Sequence, residues 1–278
     1  MWCWCVRREV MSPQKLVLFA GLALSACGLR GDDAWLKPER FKATPGATLR
    51  FQILAADRFP ADETAPIAAQ GFSATGRLGA ESIAAALLEK DRERAVFSVA
   101  LIRPGHAVIA SELAPLFLEK SADAIEARLR EVHAGEALRE AWGRQTAETP
   151  WREHLRRYVK TFVRVGEPFE ANADWARALG APLEIIPERD PTKLSAGDRL
   201  SVRVLREGTP LPNFALNFTT ADDSRDHVIF TDLAGRAEIE LDVAGLWLID
   251  GTHLRLAEKP EKNETWVSAY VSLTMEVN

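Results

Sequence analysis

The sequence predicts a mainly β protein of two β-sandwich domains, the second immunoglobulin-like or transthyretin-like, with a helical insertion between them. Three observations lead there. After Gly166, short segments rich in β-branched and aromatic residues alternate with turns carrying Gly and Pro. A mixed but strand-rich texture also precedes position 115. Between the two, from about Leu116 to Val159, apolar residues recur at spacings of three and four with charged residues between them, the period of an amphipathic helix. The expected partition is an extension and signal over 1–27, a β domain over 28–115, a helical bridge over 116–160 and a β-sandwich over 161–278.

The first β domain rests on "ATLRFQIL" (Ala47 to Leu54), "RAVFSVALI" (Arg94 to Ile102) and "HAVIASEL" (His106 to Leu113), the last following the turn signal Pro104-Gly105. "AESIAAALLEK" is full of helix formers and is expected as a loop across a sheet edge with one helical turn. In the bridge, Ala124, Ile125, Leu129, Val132, Leu138 and Trp142 define an apolar stripe, and Pro150 ends that helix or opens another. "WREHLRRYVKTFVRVG" is expected to pass from helix to strand near Tyr158. In the second domain, Leu200, Val202 and Val204 share one face and Ser201, Arg203 and Leu205 the other. Trp247 and Trp266 are expected as plugs between sheets. In "TDLAGRAEI", Asp232 is placed to bond back to the turn backbone and Gly235 to take a positive φ, a structural turn.

The stretch "KLVLFAGLALSACG" carries an address. Lys15 precedes an apolar run from Leu16 to Leu24 and then Leu-Ser-Ala-Cys, the charged, apolar and small-residue order of a bacterial export signal. The run is about nine residues and a membrane span needs about 20, so it is no permanent span. Leu-Ser-Ala-Cys fits a lipobox, with cutting before Cys27 and a lipid on its thiol; ordinary cleavage beside a small residue is the alternative. Gly28 rather than Asp follows Cys27, which points to the outer membrane. Met11 offers a cleaner start than Met1. The three cysteines all lie at or before position 27, so no disulfide, CxxC pair or cysteine metal site is expected in the folded part.

Other chemistry is excluded or left open by composition and spacing. With 35 Lys and Arg against 40 Asp and Glu the chain lacks the basic excess of a nucleic-acid binder, so no nucleic-acid partner is expected. There is no GxSxG elbow, phosphate loop or GxGxxG fingerprint, and the protein is not expected to be an enzyme; an uncharacterised hydrolase is the weakest alternative. The histidines, at 106, 133, 154, 227 and 253, form no HxxxH, HExxH or HxH pattern. His227 and His253 could meet a carboxylate only through the fold.

"RRYVKTFVRVG", "LGAPLEIIPERDPTKLSAGDRLSVRVLREGTPLP", "TDLAGRAEIELDVAGLWLI" and "VSLTMEV", in that order, resemble the family catalogued as domain of unknown function 4198, from about Trp35 to Val277. Tyr158, Lys160 and Gly166 match its Tyr-x-Lys and junction glycine. Pro182, Leu183, Glu184 and Pro187 match its Leu-Glu-x-x-Pro strand, and Thr231, Asp232, Gly235, Gly245, Trp247 and His253 match its later strands. The resemblance implies an exported bacterial β-sandwich protein, with some members described as periplasmic components of cobalt or nickel uptake. For such an ion, His253 and His227 are the candidate ligands. Relatives often place a His before the acidic residue and Trp that here stand in "GDDAW", which has none. The expected function is an extracytoplasmic, lipid-anchored binding or accessory protein, held to the membrane by its lipid and paired with an envelope protein or transporter. The alternative is a structural or interaction module of the envelope with no small-molecule ligand.

Overall fold

Alternation of apolar and polar residues, interrupted by glycine turns, lays the chain down as strands, and the pairing of those strands decides which faces are covered. The computed structural model describes residues 33–56, 59–60, 72–90, 95–145, 150–167, 173–223, 227–258 and 265–278; Cys27, the signal and both candidate starts lie outside them. In chain order the elements are β1 (Ala34–Pro38), β2 (Lys42–Ala43), β3 (Ala47–Ala55), β4 (Phe72–Leu78), β5 (Glu81–Ile83), β6 (Ala85–Lys90), β7 (Ala95–Leu101) and β8 (Gly105–Lys120). Helices α1 (Ala122–Glu131) and α2 (Glu136–Gly143) follow, then β9 (Trp151–Val165), a short 3-10 turn at Asp174–Ala176, β10 (Leu183–Pro187) and β11 (Arg199–Arg206). The chain continues as β12 (Thr209–Pro210), β13 (Ala215–Thr220), β14 (His227–Phe230), β15 (Arg236–Glu240), β16 (Gly245–Leu256) and β17 (Trp266–Val277). Among the described residues, 58% are in strands and 10% in helices, so the fold is mainly β.

A central sheet runs in the order β14-β13-β16-β17-β9-β8-β4-β5, with β2 paired to β9. One smaller sheet, β1-β3-β7-β6, packs on one face of it, and a second, built from β10, β11, β12 and β15, packs on the other. The parity of β9 makes this plain. Leu155, Val159 and Val163 point into the core shared with β1, β3 and β7, whereas Tyr158 and Phe162 point into the core shared with β10, β11 and β15. The molecule is two β-sandwiches with a helical insertion, and the two sandwiches share the central sheet.

The helical insertion is shorter than its sequence period. α1 and α2 cover Ala122–Gly143, while β8 extends to Lys120 and β9 begins at Trp151. The expected helix through "WREHLRRY" is therefore strand. Trp151, Leu155 and Tyr158 mimic a helical stripe because the intervening inward positions, Glu153 and Arg157, are polar yet buried. Glu153 is tolerated there by partners: Arg128 Nη2 of α1 donates to Glu153 Oε1 at 2.6 Å, Ser268 Oγ donates at 2.5 Å and the Trp151 indole at 3.1 Å. "AESIAAALLEK" is β5 and β6, because pairing of β6 with β7 overrides helix propensity. Trp247 lies between sheets, but Trp266 does not: it stacks on Trp151 at 4.4 Å beneath α1 and α2.

Candidate functional site

The sheet pairing brings Lys160 of β9 and Glu184 of β10 together from opposite layers. Lys160 Nζ donates to Glu184 Oε1 at 2.9 Å, with both side chains about 5% exposed or less. Glu184 also accepts from the backbone N–H groups of Leu179 and Gly180 at 2.9 to 3.1 Å. From the other side Arg77 of β4 donates to the carbonyls of Asp174 and Arg177 at 2.8 and 2.9 Å. The connection from the 3-10 turn into β10 is thus clasped at its carbonyls by a cation and at its amides by an anion. Burial pushes the Lys160 ammonium down, Arg77 acts in the same direction and Glu184 opposes them. Tyr158, on the same face, is buried with a hydroxyl that has no partner among the described residues, and burial pushes it up to about 12. Neither Lys160 nor Glu184 lines the two cavities described beside β2 and the end of β9. The cluster locks layers together.

The two candidate metal ligands stay apart. His227 stacks on Phe218 at 5.3 Å and reaches Asp223 at 3.7 Å, on β14 at the sheet edge. His253 lies on β16, two strands away. Burial and the neighbouring Arg206 and Arg255 guanidiniums push His253 down to about 4. A neutral imidazole can ligate a metal, but the two guanidiniums beside it oppose a divalent cation. Among the described residues, no three or more His, Cys, Asp or Glu are grouped to hold a metal. His106 is buried and meets Asp190 at 2.9 Å, His133 meets Asn217 at 3.1 Å, and His154 stacks on Phe117 at 4.6 Å. At the turn, Asp232 Oδ1 accepts from the N–H of Ala234 and of Arg236 at 2.8 Å, and Gly235 has φ +72°.

The described surface has an apolar edge at β14. Val228 and Phe230, 38% and 51% exposed, share one side of this outermost strand. That side carries Asn217 of β13 and Asp250 of β16, hydrogen-bonded to each other at 3.1 Å. His133, just after α1, reaches over it to meet the Phe230 ring edge-on at 6.2 Å, and leaves Val228 and Phe230 partly exposed. Sequence reading passed over this edge, since "HVIF" is an unremarkable strand until its place at the rim is known. It also passed over Arg77, whose partners lie about 100 residues away.

The family model described as Domain of unknown function (DUF4198) matches residues 30–255, well over half of the chain. The chain belongs to the DUF4198 family. Lys160 and Glu184, which meet in the clasp, both lie within the matched span. No curated protein matches this DUF4198 chain. Among solved structures it is similar to the D0-D1 domain of Intimin, with 12% identity, 86% of this chain and 96% of that chain covered, and a TM-score of 0.22. It is also similar to the adhesin InvE of Yersinia pseudotuberculosis, with 12% identity, 88% and 58% covered, and a TM-score of 0.24. Domains 5-6 of the S-layer protein SbsC give 10%, 88% and 98%, and 0.23. The chain spans less than two thirds of the InvE structure. At such scores these likenesses carry no argument about activity.

Proposed function

We propose that this DUF4198 protein is an exported, lipid-anchored interaction module of the bacterial envelope that binds a partner protein and catalyses no reaction. The observation that carries the reading is the β14 edge. An edge strand leaves a row of backbone N–H and C=O groups open to pairing, and exposed apolar side chains on it are a liability unless something covers them. A partner segment in extended conformation, added to β14 by strand pairing, covers both. The flanking Asp222, Asp223 and Asp232 favour basic residues at the ends of that segment. The Leu-Ser-Ala-Cys signal supports export and a lipid on Cys27. Nickel or cobalt draws no support from His253 among its guanidiniums.

Two measurements test the proposal together. Mass spectrometry of the mature protein is expected to find an acylated Cys27, and Cys27→Ser is expected to move the protein from membrane to soluble fractions. A photo-crosslinking side chain at position 228 is expected to give one discrete adduct in cells, absent when it is placed at Glu207 in the turn between β11 and β12. An unlipidated mature chain removes the anchor from the proposal, and no adduct specific to position 228 removes the edge.

A further inference from the structure

At the far end of β9 an open cavity of about 530 Å³ is lined by Arg40, Lys42, Ala43, Thr44, Arg164, Gly166 and Glu167. The parallel pairing of β2 with β9 sets Lys42 directly beside Arg164, and like charges opposite one another in a sheet are destabilising. Compensation inside the site is slight. The Lys42 ammonium donates to the neutral side-chain oxygen of Asn278, and Arg164 pairs with Glu167, whose carboxylate is 88% exposed and so heavily screened. Arg40 has no ion-pair partner among the described residues. Three cations therefore face one solvated carboxylate, in a chain whose acids outnumber its Lys and Arg 40 to 35.

The cavity wall is built rather than incidental. Arg164 N–H donates to the Phe41 carbonyl and Gly166 N–H to the Ala43 carbonyl, both within 3 Å, which stitches β2 down. Gly166 has φ +58°, and a Cβ there would press on the Pro45 ring at 3.2 Å. Any larger residue would disturb the loop that holds Lys42 and Arg40 in place.

We infer that this cavity binds a small soluble polyanion, with oxyanion groups, carboxylate or phosphate, seated between Arg40, Lys42 and Arg164. Guanidinium forks take such groups in two parallel hydrogen bonds, and a cavity of this size falls in the range of small-molecule sites. The site is separate from the β14 edge and stands or falls independently of it.

Titration calorimetry with citrate and with inorganic pyrophosphate separates the carboxylate and phosphate arms. At least one is expected to bind at a single site with Kd below about 500 μM, weakening several-fold between about 50 and 200 mM salt as charge pairing is screened. Arg40→Glu is expected to weaken it at least about tenfold with no change in melting temperature, since Arg40 has no ion-pair partner among the described residues. Arg164→Gln, which also gives up the pair with Glu167, is expected to weaken it by a similar factor. The inference is overturned if neither probe saturates by about 5 mM, weaker than a clustered-cation site should bind. It is also overturned if Arg40→Glu leaves affinity unchanged, or if binding is seen only to anionic phospholipid vesicles.

Discussion

Asp190 shows how one side chain sets a pH range. It accepts from His106 Nε2 at 2.9 Å, from the Thr192 N–H at 3.0 Å and from the Thr192 hydroxyl at 2.7 Å. Burial alone would raise its carboxyl, but these bonds outweigh burial and hold it at about 2, against 3.8 in an unperturbed side chain. A depressed carboxyl contributes stability that is present above the unfolded value and is lost as pH falls through the folded one. Asp190→Asn is therefore expected to cost about 1–2 kcal/mol near neutral pH, discounted for the solvent that reaches the site, and close to nothing near pH 2. Urea unfolding of both proteins at the two pH values checks this; a cost that does not shrink on acidification would place the stabilisation elsewhere.

Among elements, the clearest lesson lies in β9. Its outer half, "KTFVRV", alternates and reads as strand from the sequence. Its inner half does not, because Glu153 and Arg157 occupy core positions that only a partner distant in sequence makes tolerable. A period is visible when burial selects apolar residues, and it vanishes where a buried ion pair replaces them. β11 is the opposite case: Leu200, Val202 and Val204 are fully buried and their neighbours half-exposed, as the residues alone imply. The clasp was not legible: Lys160 and Glu184 stood in two separate segments of the family resemblance and carry no local sign that they meet. Arg40, Lys42 and Arg164 gave no signal either, because two parallel strands unite them from more than 120 positions apart.

Glycine turns separate two effects at this same scale. Gly235 has φ +72°, and a Cβ there would lie 2.8 Å from the Val204 carbonyl oxygen and 2.9 Å from the Leu211 nitrogen. Gly208 has φ +78° with nothing within 4 Å of its added Cβ. Gly235→Ala is expected to cost about 2–4 kcal/mol, from backbone strain plus overlap with two strands, and Gly208→Ala about 1 kcal/mol from strain alone. Equal losses in thermal melting of the two variants would mean that close packing at the 232–235 turn contributes nothing.

In the whole molecule, the central sheet gives both sandwiches a common wall. Residues of β9 and β17 line the core on each face, so neither outer sheet can lose its wall while the other keeps it. The chain is expected to unfold in a single transition, with tryptophan fluorescence and far-ultraviolet circular dichroism coincident in urea. Two resolved transitions would mean that the sandwiches are independent despite the shared sheet.

The pairing of β17 with β9 is parallel and joins Thr161 to Thr274, 113 residues apart. Everything between them, including the β10–β11–β15 layer and the β13–β14 hairpin, is in effect the crossover of that one pair. Order of synthesis then matters. Until Trp266–Val277 has been made, the flank of β9 opposite β8 is paired only by the two residues of β2, and the β8–β9 hairpin waits with most of that flank open. For a chain exported as proposed, folding is completed after translocation, and that flank stays open until those twelve residues emerge.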